Sequence, residues 1–396
     1  MKARPRGRKA PVLLALLFLL CVVLLSGCGN VRVSGALNPD GSMIGVHVGN
    51  GNPPPPPSPP FVELLLVANG GSGTVSSFGI GQGTGMLAAA AGSPFTAGGS
   101  PFAAALYPNN QFLYVSNNGT HSLSAYAVDT ASGVLTQLPG SPVAVGDCPR
   151  DLAITPAGTF LYVANQCSHD VSAFSVNAST GALTPVPGSP FAAGTAPFAL
   201  ALDPGGKFLY VTDDSGGALL GFAVQSDGAL APVPGSPFPV GTCPESVKVA
   251  PASKLVYVAN ACSNDISAFS LDAAGSLTAV VGSPFPAGGS RPQALATSPG
   301  GSLLYVANQL SNDVAVFSIA GGGGLTPVAG SPFAVGGSNA LPSGLAADAS
   351  GKFLYVTLSN AGQVAGFSVG SGGGLTALAG SPFAAGSMPQ GAVSSH

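Results

Sequence analysis

The chain has 396 residues, of which 46% are hydrophobic and only 7% charged, so it holds enough apolar residues for a sizeable core. Five of the twelve basic residues lie in the first nine positions, which leaves seven basic against fifteen acidic residues in the remainder. A chain with this excess of acidic residues lacks the positive surface that nucleic-acid binding requires, and we expect no nucleic-acid partner.

The N-terminus has the order of a secretory signal peptide: basic residues, an apolar stretch from Pro11 to Leu25, and the small residues Ser26 and Gly27 before Cys28. Leu25-Ser26-Gly27-Cys28 resembles the bacterial lipobox, in which the cysteine is lipidated and becomes the first mature residue. The alternatives are a plain signal peptide or a transmembrane anchor, but the apolar stretch is short for a span of about 20 residues. We therefore predict an exported lipoprotein held at the cell-envelope membrane by Cys28, in the outer membrane or at the cell surface if the source is Gram-negative.

Three segments follow from the composition: a signal peptide over residues 1–27, a lipid-anchored spacer over 28–60 and a repeat domain over 61–396. In the spacer, two valine-rich stretches flank Asn38-Pro39-Asp40-Gly41, a pattern typical of a hairpin. The run Pro53 to Pro57 favours stiff polyproline II, which would hold the next domain away from the membrane.

Two short phrases recur seven times beyond residue 60. Gly-Ser-Pro-Phe, or Gly-Ser-Pro-Val once, returns every 47 to 50 residues, and Leu-Tyr-Val-Ala-Asn and its variants keep the same register. Each repeat contains four short runs of β-branched and aromatic residues separated by turn residues. Four strands in a repeat of this length are typical of a propeller blade, and we therefore predict an all-β, seven-bladed β-propeller with four-stranded antiparallel blades.

The C-terminus predicts how the ring closes. Residues 388–393 match residues 291–296, the first strand of an earlier repeat, whereas the first repeat lacks that strand. We predict that residues 388–395 complete the blade begun by residues 61–95, which removes the open sheet edges that invite aggregation.

The two phrases resemble those of the YVTN-repeat, lactonase-type seven-bladed propeller family, which includes bacterial phosphogluconolactonases. The resemblance covers residues 61–396. It implies the propeller fold and, as an expected activity, lactone hydrolysis, although the quoted phrases are strand and turn residues.

Four cysteines of the repeat domain pair by position. Cys148 and Cys243 each precede the proline that opens a repeat, and Cys167 and Cys262 each follow 19 residues later, after the second strand. Because the first strand begins where its antiparallel neighbour ends, we predict the disulfides Cys148–Cys167 and Cys243–Cys262. No histidine lies at ligand spacing, so we expect no metal site.

The first strand of each blade should line the central channel, and its start should lie at one mouth of that channel. The residue after the strand-opening proline is, in successive repeats, Phe102, Arg150, Phe198, Glu245, Gln293, Ser343 and Gln390.

In a chain so poor in charge, Arg150 and Glu245 in this column, with Arg291 just before it, are the candidate catalytic residues. The arginines could stabilise an oxyanion and Glu245 could act as a base. The residues Asp151, Lys248, Gln293 and Gln390 are the candidate binding residues of the same mouth. The alternative is that these charges only pair with one another beside water.

Three functions remain open. The sequence favours a ligand- or protein-binding module of the envelope, with a lactone hydrolase as the alternative and a structural surface protein as the third possibility. No phosphate loop, nucleophile elbow or dinucleotide motif is present, so we expect no cofactor. The expected partners are the membrane, through the lipid, and an envelope protein or polymer, with the propeller itself monomeric.

Overall fold

The structure is a computed structural model of the full chain, and it describes residues 31–37, 43–50, 61–251 and 254–395. The chain divides into two compact units, Met1–Pro60 and Phe61–His396. In the first unit, β1 (Val31–Leu37) pairs antiparallel with β2 (Met43–Asn50). The predicted signal peptide, Cys28 and the proline run lie outside the described residues. None of the described segments forms a helix with the length and hydropathy that a membrane crossing requires.

The second unit consists of seven antiparallel sheets, numbered here as blades 1 to 7 in chain order. The strands of blades 1 to 4 are β3 (Leu64–Asn69), β4 (Thr74–Ile80), β5 (Leu87–Ala89) and β6 (Phe95–Thr96); β7 (Pro101–Leu106), β8 (Phe112–Asn117), β9 (Ser122–Val128), β10 (Leu135–Gln137) and β11 (Val143–Ala144); β12 (Pro149–Ile154), β13 (Phe160–Asn165), β14 (Asp170–Val176), β15 (Leu183–Pro185) and β16 (Phe191–Ala192); β17 (Pro197–Leu202), β18 (Phe208–Asp213), β19 (Ala218–Val224), β20 (Leu230–Pro232) and β21 (Phe238–Pro239).

The strands of blades 5 to 7, and the last strand of the chain, complete the ring. They are β22 (Pro244–Val249), β23 (Leu255–Asn260), β24 (Asp265–Leu271), β25 (Leu277–Ala279) and β26 (Phe285–Pro286); β27 (Pro292–Thr297), β28 (Leu303–Asn308), β29 (Asp313–Ile319), β30 (Leu325–Pro327) and β31 (Phe333–Ala334); β32 (Pro342–Ala347), β33 (Phe353–Leu358), β34 (Gln363–Val369), β35 (Leu375–Ala377) and β36 (Phe383–Ala384); and β37 (Pro389–Ser394).

Each blade has the predicted up-and-down order, with one refinement at its outer edge. The fourth strand is split into a three-residue and a two-residue strand, and both pair with the third strand, as β15 and β16 pair with β14. The Gly-Ser-Pro phrase forms the turn between the two pieces. Its proline has no backbone N–H, which suits a position where the outer strand is interrupted.

The ring closes as predicted. Strand β37 pairs antiparallel with β3, with Leu66 opposite Val393 and Asn69 opposite Pro389, so the C-terminal strand becomes the innermost strand of blade 1. Ser395 adds two bonds to the same blade, because its N–H donates to the Leu64 carbonyl and its hydroxyl accepts the Leu64 N–H.

The innermost strands of neighbouring blades contact one another all the way around the ring, and so enclose the central channel. The apolar core lies between successive blades. Its largest members are the tyrosines of the second strands, which are fully buried. In five blades the tyrosine hydroxyl donates to a glycine carbonyl of the next blade, over 2.7–3.1 Å; the pairs are Tyr114–Gly181, Tyr162–Gly228, Tyr210–Gly275, Tyr257–Gly323 and Tyr355–Gly85.

The serine of the Gly-Ser-Pro phrase has an equally regular role. In all seven blades its hydroxyl accepts a backbone N–H of the third strand, over 2.8–3.0 Å; the serines are Ser93, Ser141, Ser189, Ser236, Ser283, Ser331 and Ser381. The hydrogen bond replaces the strand pairing lost at the split. Both repeated phrases are therefore explained by bonds that build and join blades.

Candidate functional site

The channel mouth is the end of the channel at which the innermost strands begin. A cavity of about 560 Å³ extends from this mouth along the innermost strands. Six residues that follow the strand-opening prolines line it: Phe102, Phe198, Glu245, Gln293, Ser343 and Gln390. We call these six and Arg150 the mouth column. The periodic proline fixes where each innermost strand begins, and this is why one column of the sequence converges on one place.

Glu245 is the most enclosed charge of the mouth. Its side chain is only 7% exposed, and its Oε1 atom lies 2.9 Å from Nη2 of Arg291, whose side chain is 40% exposed. The other carboxylate oxygen, Oε2, is buried and has no hydrogen-bond partner among the described residues, and neither has Nε of Arg291. A buried carboxylate oxygen without a hydrogen-bond partner costs free energy, so an unpartnered oxygen at this position is unusual.

The electrostatic surroundings of Glu245 act in both directions. Burial raises the pKa of this carboxyl above its usual value, Arg291 and Arg150 lower it, and Asp214 raises it. The net direction is upward. A carboxyl with a raised pKa accepts protons more readily than an exposed one, as a general base must.

Arg150 reaches the same cluster from blade 3. Its Nε donates to Oε1 of Gln166 over 2.7 Å, and its guanidinium carbon lies 4.8 Å from the ring centre of Phe102 and 5.1 Å from that of Phe198. The two rings are themselves in edge contact at 5.8 Å. The two Nη atoms make no hydrogen bond within the described residues, so they are the donors left for a ligand.

A fourth charge, Asp214, belongs to this cluster and was missed as a site residue from the sequence. Burial raises the pKa of its carboxyl, while Arg150 and Arg291 lower it. Asp214 follows the last residue of its second strand, as Gln166 does in blade 3. Aligning the residue after each second strand would therefore have revealed a second column at the mouth.

The predicted binding residues lie in two places. Gln293 and Gln390 are at the mouth, and the amide of Gln309 donates to that of Gln293. Asp151 and Lys248 lie farther along the channel. Both oxygens of Asp151 accept backbone N–H groups, one of them from Leu200 of the next blade at 2.9 Å. Burial raises the pKa of the Asp151 carboxyl and Lys248 lowers it, so these two charges face the same part of the channel.

Both predicted disulfides are present. Cys148–Cys167 and Cys243–Cys262 each have a Cα–Cα distance of 5.3 Å. Within the described residues, no group of three or more histidine, cysteine, aspartate or glutamate side chains could hold a metal ion.

A match to a known family agrees with the seven-bladed fold. The family described as "Lactonase, 7-bladed beta-propeller" matches residues 89–196 and 192–389. The chain belongs to this lactonase family. The matched residues include six of the seven mouth-column positions, all but Gln390.

Solved structures with the same fold include lactonase-family members. A candidate 6-phosphogluconolactonase of Bacteroides uniformis is 22% identical, with a TM-score of 0.72 over 83% of this chain and 98% of that one. The periplasmic gluconolactonase PpgL of Pseudomonas aeruginosa is 20% identical, with a TM-score of 0.71 over 84% and 99% of the two chains. At such identities the likeness shows the fold alone. No curated protein matches the sequence.

The mouth thus contains a nearly buried carboxylate with one oxygen that lacks a hydrogen-bond partner, two guanidinium groups and a cavity large enough for a small molecule. A carboxylate of this kind can accept a proton from water, and guanidinium donors can bind an anion or stabilise one that develops during a reaction.

Proposed function

We propose that this protein hydrolyses a lactone at the channel mouth, with Glu245 as the general base. The observation that carries the proposal is the unpartnered, buried Oε2 of Glu245 beside the cavity. A second support is membership of the lactonase family. The binding-module reading, which the sequence favoured, has less support than its lactonase alternative.

The proposed reaction uses water as the nucleophile. Oε2 of Glu245 accepts a proton from a water molecule while the water oxygen bonds to the lactone carbonyl carbon. Negative charge develops on the carbonyl oxygen, where the free Nη donors of Arg150 or an Nη of Arg291 stabilise it. The bond to the ring oxygen then breaks, the ring oxygen takes the proton from Glu245, and the product is a hydroxy acid.

The carboxylate of the product explains the second role of the arginines. A hydroxy acid ionises at neutral pH, and a guanidinium binds a carboxylate with two parallel hydrogen bonds. Asp214 and Glu245 limit the net positive charge of the cluster, so the product is not held by two unopposed cations.

The test is hydrolysis of a panel of sugar and aliphatic lactones by the wild-type protein and by Glu245→Gln. This replacement keeps the shape of the side chain but removes the base, so we expect turnover to fall by about 10²–10⁴-fold. Glu63→Gln is the matched control, because Glu63 is also a partly buried carboxylate whose pKa is raised by burial, but it accepts the N–H of Ala349 away from the mouth. No turnover of any lactone by folded wild-type protein would reject the proposal and return attention to a binding module.

We also propose that the protein works on the outer side of the cell membrane, anchored by a lipid on Cys28. The two disulfides support export, since disulfides persist in oxidising compartments. Cys28→Ala should move the protein from the membrane fraction to the soluble fraction after cell lysis. Continued membrane attachment of the variant would contradict lipid anchoring.

A further inference from the structure

The two disulfides occur in the blades that supply Arg150 and Glu245. Cys148 lies two residues before Arg150, and Cys243 lies two residues before Glu245. The other half of the first disulfide, Cys167, directly follows Gln166, the hydrogen-bond partner of Arg150. The first disulfide therefore joins the two backbone segments that carry Arg150 and its partner, and the second is attached two residues before Glu245.

The backbone at this position does not itself need a disulfide. In blade 3, Gln166 and Cys167 donate to the carbonyls of Cys148 and Asp147, both over 3.1 Å. The same two hydrogen bonds join the equivalent segments of blades without cysteine. In blade 2, for example, Asn118 donates to Ser100 over 3.0 Å and Gly119 to Gly99 over 2.9 Å.

The left-handed backbone before the strand-opening proline is equally common to blades with and without a disulfide. The φ angle is 53° at Cys148 and at Cys243, against 51° at Ser100, 57° at Arg291 and 51° at Met388. What separates the disulfide-containing blades is that they supply the two charged residues of the mouth column, Arg150 and Glu245.

We propose that the two disulfides position Arg150 and Glu245, so that the channel-mouth site is assembled only in an oxidising compartment. The effect of the disulfides on turnover rests on the proposed function, whereas their effect on the positions of Arg150 and Glu245 does not. The guanidinium of Arg150 must lie between two aromatic rings, and Glu245 must stay buried with one oxygen that has no hydrogen-bond partner. Both arrangements oppose the preference of charged groups for water, and a covalent link close to each side chain prevents the strand from moving away.

Reduction can reach both bonds in the folded protein, because Cys167 and Cys262 are exposed. Each disulfide takes up two electrons and two protons to become two thiols, and a dithiol reductant supplies them while it is oxidised to its own disulfide. The expected consequence is a propeller that keeps its fold and loses its site.

The first measurement needs no substrate. Arg150 and Arg291 are the only arginines beyond residue 60, so their Nε–H signals in an NMR spectrum of the full chain can be assigned with Arg150→Lys and Arg291→Lys. We expect reduction, with the circular dichroism of the fold unchanged, to shift the Arg150 signal and speed its exchange with water. An unchanged Arg150 signal in fully reduced, folded protein would overturn the inference, whether or not any lactone is hydrolysed.

The second measurement separates the two disulfides by turnover. Cys148→Ser/Cys167→Ser should lower kcat, because Arg150 stabilises the developing oxyanion. Cys243→Ser/Cys262→Ser should lower kcat and also move the acid limb of its pH profile, by more than the first variant does, because Glu245 is the base. A displacement of about 1 Å costs up to about 100-fold in rate. Met388→Ser, at the equivalent position of blade 1 and 52% exposed, is the control and should change neither.

A relocated disulfide distinguishes positioning from general stabilisation. The Cβ of a residue at Gly119 would lie 3.1 Å from the side-chain oxygen of Ser100, so Ser100→Cys/Gly119→Cys can form the equivalent link in blade 2. Added to Cys148→Ser/Cys167→Ser, it should restore thermal stability but leave kcat and the Arg150 signal altered. Recovery of both together with stability would show that the native disulfides only stabilise the fold, and would overturn the inference.

Discussion

The surfaces between blades and the channel mouth follow opposite rules. The contacts that build and join the blades recur: within every blade a serine hydroxyl accepts a third-strand N–H, and in five blades a buried tyrosine bonds to the next blade. At the mouth, the column that begins with Phe102 changes from phenylalanine to arginine, glutamate, glutamine or serine around the ring. The residue type in this column does not repeat, although the backbone that carries it does.

The difference separates the positions that pack the blades from the positions that could bind a ligand. A ring of seven blades needs one solution to blade packing, used seven times, because every blade meets its neighbours in the same way. A site at the mouth needs different groups on different sides of one ligand. The positions that break the repeat are therefore the candidates for function, and they gather in blades 3 to 6, which supply Arg150, Asp214, Glu245 and Arg291.

The largest expected effect breaks the repeated surface itself. Deleting residues 388–396 removes β37, its pairing with β3, and the hydrogen bond from the Ser394 hydroxyl to the carbonyl of Ala347 over 2.7 Å. Blade 1 then exposes the unpaired edge of β3 and blade 7 loses its contact with β37, so we expect the thermal unfolding midpoint to fall sharply or cooperative unfolding to disappear. Met388→Ser, which keeps the strand, should unfold like the wild type. A deletion variant with wild-type unfolding would show that the ring does not depend on its closing strand.

A smaller effect sharpens the description of the mouth. Replacing Arg291 by Met removes the stronger of the two cations that lower the pKa of Glu245, so this pKa should rise further. If Glu245 must be ionised to act as the base, kcat/KM falls as the pH falls through that pKa, and the acid limb of the profile should move to higher pH by about one to three units. A limb that stays in place would mean that Glu245 is not the base.

The same pKa direction has a consequence for stability. Because burial raises the folded-state pKa of Glu245 above its value in the unfolded chain, the folded state binds a proton more tightly. The favourable contribution of the protonated form is complete below the unfolded-state pKa and is lost as the pH rises through the folded-state pKa. Arg291→Met should therefore destabilise the protein most at neutral and higher pH, where the buried carboxylate has lost its partner.

The fold could be predicted from the sequence more completely than the site. The period of the two phrases predicted the seven blades, the unmatched strand at residues 388–393 predicted the closure, and the matched spacing of Cys148–Cys167 and Cys243–Cys262 predicted the disulfides, because each depends on position along a repeat. The mouth column could be aligned in the same way. Which residues of the column contact one another could not be predicted. The contact of Phe102 with Phe198, for example, joins blades two repeats apart across the mouth, and it depends on how far the side chains reach.

The smallest expected effect tests the repeated surface with an internal control. Tyr210 and Tyr305 are both fully buried in second strands, but only Tyr210 has a hydrogen bond for its hydroxyl, to the carbonyl of Gly275 at 2.8 Å. The Tyr305 hydroxyl is buried and has no partner in the part of the chain that the structure describes. Burial raises the pKa of Tyr305 to about 12 and also raises the pKa of Tyr210, so both hydroxyls are neutral near pH 7 and differ mainly in that bond.

Tyr210→Phe should therefore lower the free energy of unfolding by about 1–2 kcal/mol, since it leaves a buried carbonyl without its donor. Tyr305→Phe removes a hydroxyl that makes no bond, and it should be neutral or slightly stabilising. Both values come from chemical denaturation of the full chain, compared at unchanged m. Equal losses in the two variants would mean that the repeated tyrosines contribute through packing alone, and that the bonds between blades add nothing to the ring.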